Sequence, residues 1–284
     1  MLTLLTSVGY FLVTYAQVQE PCGYDALPRP TYLQGRVLNA PIAGVCDWPW
    51  MVAVRENAFP NLRLCSGVLI GRDKVITTAS CVMRLNNLAA SPLQVIVGEH
   101  DITADYENLY GRNNDTIVLV RSVFTHPQFS GKANDIAVIR LREPVTYGDC
   151  ALPACLPTSR APGDCGHQVV DKCAYAGWGL YTDRSFLRSA KLRAAWGRYY
   201  DQELCSTIYR LGRNNLNPAN TVCIDPTIQN QRPCQGDEGG MVACAERGRW
   251  ILESLINEPS CQDTYPTLGV DLRASTIINF INSN

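Results

Sequence analysis

Thirteen cysteines constrain this chain of 284 residues more than any other feature of its sequence. They are scattered from Cys22 to Cys261, and no two of them follow the C-x-x-C spacing of zinc sites and thiol redox motifs. This arrangement indicates a disulfide framework, which forms and persists in oxidising compartments. Because the number is odd, at least one thiol has no disulfide partner within the chain.

The composition excludes two broad classes of protein. Lys and Arg number 25 against 26 Asp and Glu, for a net charge of −1, whereas a nucleic-acid binder normally shows a basic surplus. Hydrophobic residues make up 46% and charged residues 18%, which excludes a disordered chain and allows a sizeable core. The length fits one large domain or two small ones.

The first 36 residues differ from the rest of the chain. Residues 1–16 form an uncharged apolar segment that ends in small residues, too short to span a membrane, and we predict a signal peptide there. A buried first strand is the alternative, and the cysteine content favours secretion. Residues 17–36, with Pro21, Pro28 and Pro30, are typical of an extended arm. No other stretch approaches 18 apolar residues, so we expect no membrane span.

Beyond the arm, short β-branched runs alternate with turn residues, which is typical of an all-β barrel or sandwich. The runs are Met51–Arg55, Ser66–Ile70, Lys74–Thr77, Leu93–Val97, Thr116–Val123, Ile136–Leu141, Gln168–Gly177, Trp250–Ile256 and Thr267–Val270. Helical spacing occurs only in Arg273–Asn282, with Ile277, Ile278 and Ile281 on one side.

Several motifs, in order and at consistent distances, resemble the trypsin/chymotrypsin-like serine protease family. They are Trp48-Pro49-Trp50-Met51-Val52, Val75-Ile76-Thr77-Thr78-Ala79-Ser80-Cys81, Asn134-Asp135-Ile136-Ala137, Gly177-Trp178-Gly179, Cys234-Gln235-Gly236-Asp237-Glu238-Gly239-Gly240 and Pro266…Gly269-Val270. The resemblance covers residues 37–284 as one domain. It implies two six-stranded antiparallel β-barrels with a C-terminal helix.

Catalysis in that family needs a Ser nucleophile, a His that takes and returns its proton, and a buried Asp that orients the His. The resemblance places Ser80 at the His position, Asp135 at the Asp position and Glu238 at the Ser position. Losing the base or the nucleophile of a serine protease costs about 10⁶ in kcat. The sequence therefore predicts a non-catalytic protein with a degenerate triad.

Two other groups of residues could replace the missing catalytic residues, but neither fits. The three histidines, His100, His126 and His167, lie near predicted turns, so we expect them on the surface and not opposite Glu238. Asp135 and Glu238 make a carboxylate pair of the kind used by glycosidases, but the implied fold is wrong for that chemistry and no sugar-binding pattern is present.

The resemblance also implies a rebuilt substrate pocket. Arg232 stands at the pocket floor, where it would repel basic substrates. Leu255, Ile256 and Asn257 replace the usual S-W-G wall, and Gly269 lies in the same pocket. The oxyanion hole keeps Gly236 and the backbone of Asp237 and Glu238. Two alternatives stay open for the Glu238 carboxylate, which either accepts those backbone N–H groups or points to solvent.

Arg36-Val37 stands where the family has its activation cleavage. We expect a trypsin-like protease to cut after Arg36 and the freed amine of Val37 to pair with Asp237. An uncut Arg36 in an exposed linker is the alternative.

Family spacing implies five disulfides, which would keep the arm attached after cleavage. The pairs are Cys22–Cys155, Cys65–Cys81, Cys173–Cys244, Cys205–Cys223 and Cys234–Cys261. Cys46, Cys150 and Cys165 have no counterpart in the common framework, and Cys46–Cys150 is the first choice among their possible pairs.

Two weaker signals concern modification and metal binding. Asn114-Asp115-Thr116 is an N-glycosylation sequon in a polar loop. The acidic residues Glu99, Asp101, Asp105 and Glu107 lie where some family members bind calcium, but their spacing fits only partly. We therefore expect a solvated acidic loop and no cofactor.

The sequence features of the domain resemble those of arthropod serine protease homologues, although this chain has no clip domain. That resemblance implies a secreted cofactor or adaptor in extracellular, melanisation-type immune cascades, whose partners are secreted proteases, zymogens or prophenoloxidase-type substrates. Two other functions stay open: an active peptidase with unorthodox residues, and a recognition protein for microbial surfaces.

Overall fold

The structure is a computed structural model that describes most of the chain after residue 40, together with Cys22, Gly23 and Tyr24. The described residues are 22–24, 40–56, 64–86, 92–103, 115–158, 173–180, 188–200, 203–205, 207, 220–226, 231–246, 248–261 and 266–284.

Six strands close into a first antiparallel barrel in the order β1-β2-β3-β6-β5-β4. They are β1 Met51–Glu56, β2 Leu64–Gly71, β3 Lys74–Thr77, β4 Leu93–Val97, β5 Thr116–Thr125 and β6 Ala137–Leu141. The register of β1 is fixed on both sides, with Val52 opposite Gly67 of β2 and Val97 of β4.

Six further strands close a second antiparallel barrel in the order β10-β11-β12-β9-β8-β7. They are β7 Cys173–Gly177, β8 Arg193–Tyr199, β9 Thr221–Pro226, β10 Met241–Glu246, β11 Arg249–Glu258 and β12 Thr267–Asp271. The prediction of two six-stranded barrels is confirmed.

Within the described ranges, two helices of eight or more residues accompany the barrels. Helix α1, Ala79–Asn86, begins two residues after β3 and carries Ser80 in its first turn. Helix α2, Ser275–Ser283, buries Ile277, Ile278, Phe280 and Ile281, which include the three isoleucines of the predicted apolar side. No helix within the described ranges is long and apolar enough to span a membrane.

Six disulfides connect the described cysteines. They comprise the five pairs implied by the resemblance and Cys46–Cys150. Each disulfide typically contributes about 2–4 kcal/mol of stability. The remaining cysteine, Cys165, lies outside the described residues.

The arm segment is held by more than its disulfide. Gly23 donates its N–H to the carbonyl of Pro153 (2.8 Å) and accepts the N–H of Trp250 (2.9 Å). A side chain at residue 23 would collide with the Trp250 carbonyl oxygen at 2.3 Å, and the positive φ of 66° also favours glycine. Gly23 therefore lies between the inter-barrel connection and β11. The predicted cleavage site at Arg36–Val37 and the signal peptide lie outside the described residues.

Candidate functional site

Ser80 and Asp135 make a two-point contact in the first barrel. The backbone N–H of Ser80 donates to Asp135 Oδ1 (2.7 Å) and its hydroxyl donates to Oδ2 (2.7 Å). Asp135 precedes β6, and Ser80 lies at the N-terminal end of α1, where backbone N–H groups lack intrahelical partners. The serine thus engages both oxygens of the Asp135 carboxylate.

Burial dominates the electrostatics of Asp135, which is fully buried. Desolvation raises the pKa of its carboxyl from 3.8 to about 6, and the hydrogen bonds from Ser80 oppose that rise. Asp135 is therefore close to half-protonated in mildly acidic solution.

The Glu238 carboxylate folds back onto its own loop. The N–H of Gly236 donates to Glu238 Oε2 (2.9 Å), and Nη2 of Arg84 lies 3.8 Å from the same oxygen. The side chain of Glu238 is only 16% exposed. Of the two alternatives, the structure shows the one in which the carboxylate accepts a backbone N–H of the oxyanion hole.

Asp237 points the other way, into the second barrel. It accepts the N–H groups of Gly179 (2.6 Å) and Cys234 (2.9 Å) and is 1% exposed. Burial raises the pKa of this carboxyl from 3.8 to about 7, against the hydrogen bonds from Cys234 and Gly179. Val37 lies outside the described residues, so its pairing with Asp237 stays a prediction.

Arg232 lies at the expected pocket floor and is itself buried. Its Nη2 lies 3.5 Å from Oδ1 of Asp225, whose Oδ2 lies 3.4 Å from Arg198. The wall residues Leu255 and Ile256 are fully buried. The pocket residue Gly269 pairs with Ile256, and a Cβ on this glycine would lie 2.9 Å from Cδ1 of Ile224. A side chain at residue 269 would therefore collide with its neighbours.

The third wall residue, Asn257, connects the two barrels. Its amide nitrogen donates to the carbonyl of Lys132 (2.9 Å), and Nζ of Lys132 donates to Oε1 of Glu258 (2.7 Å). We call these three residues the inter-barrel contact. Lys132 stands three residues before Asp135, so this contact connects the segment that precedes Asp135 to the end of β11.

Sequence inspection did not identify Arg84, Arg188 or Lys132 as parts of the site. Arg84 follows Ser80 by four residues, a spacing that places both on one face of a helix, so a prediction of α1 would have suggested it. Arg188 and Lys132 reach the site through contacts between distant segments. No local pattern marks them.

The expectation that the histidines are exposed is wrong for two of them. His100 is 8% exposed and His126 is 5% exposed. The ring of His126 packs edge-on against Phe280 of α2 at 4.9 Å, and burial lowers its pKa. The backbone carbonyl of His100 accepts the N–H of Leu192. His167 lies outside the described residues.

The acidic loop is only partly described. Glu99 is buried at 7% exposure, so the expectation of a wholly solvated loop is wrong at this residue. Asp101 accepts hydrogen bonds from the backbone and hydroxyl of Thr103. Asp105, Glu107 and the sequon residue Asn114 lie outside the described residues. Among the described residues, no group of three His, Cys, Asp or Glu is arranged to hold a metal ion.

Comparisons with known proteins agree on one family. Residues 43–281 match the family profile described as Trypsin. The chain is 26% identical over 250 residues to the Drosophila melanogaster serine proteinase stubble, covering 86% of this chain and 30% of that protein. It is 29% identical over 248 residues to Serine protease 56 of Mus musculus, covering 85% of this chain and 37% of that protein. The chain thus spans about a third of the length of these curated relatives.

Among solved structures, the fold is similar to that of neuropsin, a serine protease expressed in the limbic system of mouse brain. The TM-score is 0.66 at 23% identity, and the match covers 89% of this chain and 100% of that one. This likeness concerns the fold.

Proposed function

We propose that this chain, which belongs to the trypsin family of serine proteases, is a secreted non-catalytic member that acts by binding other proteins. The observation that carries the proposal is the Glu238 carboxylate, which stands at the nucleophile position and accepts the N–H of Gly236.

The residues at the base and nucleophile positions support this function. A serine hydroxyl titrates far above neutral pH and cannot serve as the general base, whose pKa must lie near the working pH. The Ser80 hydroxyl is moreover engaged with Asp135. At the nucleophile position, the negative Glu238 would repel the oxyanion that develops on a substrate carbonyl, where an active enzyme offers hydrogen-bond donors.

The pocket and its entrance support it as well. Arg232 places a buried cation at the pocket floor, where Asp225 partly neutralises it. The inter-barrel contact holds the wall residue Asn257 against Lys132. A basic substrate side chain would meet like charge in the pocket, and its backbone would meet an occupied wall.

The biological role that fits these features is that of a cofactor, adaptor or regulator in an extracellular proteolytic cascade of the innate immune, melanisation type. Six disulfides fit an oxidising compartment. The motifs resemble those of arthropod serine protease homologues, whose expected partners are secreted proteases, zymogens or prophenoloxidase-type substrates. Surface loops carried on a rigid double barrel suit such binding.

A labelling experiment tests the loss of catalysis. We expect the protein cleaved after Arg36 to show neither reaction with a fluorophosphonate probe nor turnover of a chromogenic ester, with trypsin as the positive control. An Asp135→Ala variant gives the background of each assay. Burst release of the ester product that is lost on denaturation and absent from Asp135→Ala would establish an active peptidase instead.

A second experiment tests the proposed partners. The protein is co-purified from native extracellular fluid and its partners are identified by mass spectrometry. Recovery of proteases, zymogens or prophenoloxidase-type proteins supports the cofactor role. Retention on bacteria or peptidoglycan without such partners would instead indicate a microbial recognition protein.

A further inference from the structure

Two groups contact the Glu238 carboxylate, and a third lies beside Gly236. The N–H of Gly236 lies 2.9 Å from Oε2, and Nη2 of Arg84 lies 3.8 Å from the same atom. The guanidinium of Arg188 covers Gly236 so closely that a Cβ on the glycine would lie 3.3 Å from Arg188 Nε. Burial lowers the pKa of Arg188, and the charge of Glu238 opposes that lowering.

We propose that Arg84, Arg188 and the Gly236 N–H form a carboxylate-binding site, and that Glu238 is its resident ligand supplied by the chain itself. Guanidinium groups match the geometry of carboxylates and make charge-assisted hydrogen bonds to them. The class of external ligand is a carboxylate, either an acidic side chain or a C-terminus of a bound protein, and it binds by taking the place of Glu238.

The two arginines are held by contacts that do not involve Glu238. Nη1 of Arg188 donates to the Leu64 carbonyl (3.0 Å), and Nη2 of Arg84 lies 3.1 Å from the sulfur of Cys81. Gly236 has a φ of 100° within the motif loop, so its N–H direction is set by the backbone. The site is therefore preorganised and should persist when the Glu238 side chain is removed.

Solvent reaches one side of this site. The side chain of Arg84 is 48% exposed, whereas that of Glu238 is 16% exposed. An incoming carboxylate can thus approach Arg84 first and then displace the resident group. The inference concerns binding and does not depend on whether the protein is catalytic.

The site is tested by removing the Glu238 side chain and adding a small anion as a probe. We expect the Glu238→Ala variant to bind [¹³C]formate saturably, seen as broadening of the formate NMR line, and to gain thermal stability in sodium formate relative to sodium chloride of equal ionic strength. Wild-type protein should show both effects only at higher formate concentrations, because formate must displace the Glu238 carboxylate. Glu238→Ser serves the same purpose if the alanine variant does not fold.

Two further variants make the result specific. Glu246→Ala is the matched control, since Glu246 lies 2.9 Å from Arg273, which also pairs with Glu253. It should behave as wild type. Adding Arg84→Ala to Glu238→Ala should weaken formate binding about tenfold, the lower end for loss of a charged contact. The proposal is overturned if Glu238→Ala does not bind formate, if wild type binds it equally well, or if removal of Arg84 has no effect.

Discussion

Replacing Ser80 by alanine probes the contact between Ser80 and Asp135. The change removes the hydroxyl that donates to Asp135 Oδ2 at 2.7 Å but leaves the backbone N–H that donates to Oδ1 at 2.7 Å. Because Asp135 is fully buried, water cannot easily replace the lost donor. The substitution should therefore destabilise the protein by an amount that depends on the charge of Asp135.

The pH dependence follows from the pKa of Asp135, which burial raises from 3.8 to about 6 in the folded protein. A raised folded-state pKa means that this carboxyl contributes stability that is fully present below pH 3.8 and is lost as the pH rises through about 6. The Ser80 hydroxyl opposes this loss because it stabilises the ionised form. Without the hydroxyl, the folded-state pKa rises further and more stability is lost across the same window.

The magnitude comes from the two kinds of hydrogen bond. A bond to the neutral acid contributes about 1 kcal/mol, and one to the carboxylate about 1.5–3 kcal/mol. We expect Ser80→Ala to cost about 1 kcal/mol at pH 5 and about 2 kcal/mol at pH 8. The difference of about 1 kcal/mol corresponds to a further rise of somewhat less than one unit in the pKa of Asp135.

Urea unfolding followed by tryptophan fluorescence, with the disulfides intact, measures these free energies at both pH values. Ser66→Ala is the matched control, because Ser66 is fully buried and its hydroxyl has no hydrogen-bond partner within the described part of the chain. Its cost should not change with pH. A penalty for Ser80→Ala that is equal at the two pH values, or smaller at pH 8, would refute the assignment of the charged contact.

Two further predictions concern the pocket and the arm. Restoring only the base and the nucleophile, S80H with E238S, should not yield cleavage of an arginyl ester in a stopped assay. The reason is that Arg232 still places a cation at the pocket floor. Robust turnover by this double variant would show that the pocket assignment is wrong. Cleavage after Arg36 should give one band on non-reducing gels and two on reducing gels, because Cys22–Cys155 tethers the arm. Release of the arm without reductant would contradict that bridge.

The sequence predicted nine of the strands because their β-branched runs are local signals. It missed β8, β9 and β10, of which β8 has no β-branched residue and β10 has one, whereas β9 has three. In β8 the reason is a neighbouring ring, since a Cβ on Gly197 would lie 2.7 Å from Cε1 of Tyr175. Small residues in β8 leave room for a side chain of the neighbouring strand β7. Such a contact between strands produces no periodic pattern along β8 itself. Helix α1 was also missed, because eight residues are too few for a clear helical pattern.

The candidate site, like the fold, could be predicted only in part from the sequence. The motif positions Ser80, Asp135 and Glu238 could be assigned along the sequence, and the structure assigns their contacts. Which of two orientations Glu238 adopts depended on the position of Arg84 and on the loop geometry at Gly236. These groups meet only when α1 and the motif loop are packed together, so local sequence could not decide between the orientations.

Three of the polar residues in the cleft have a partner of opposite charge or polarity. The contacts pair Ser80 with Asp135, Glu238 with Arg84, and Arg232 with Asp225. A cleft that had only lost its catalytic residues would leave buried charges unpaired, each at a cost of several kcal/mol. Removing the Arg232 side chain would remove a buried charged contact of Asp225 and leave that carboxylate paired with Arg198. Removing the Glu238 side chain leaves Arg84, which is 48% exposed and which water can solvate. A substitution of Arg232 by alanine should therefore lower the stability of the protein more than a substitution of Glu238 by alanine.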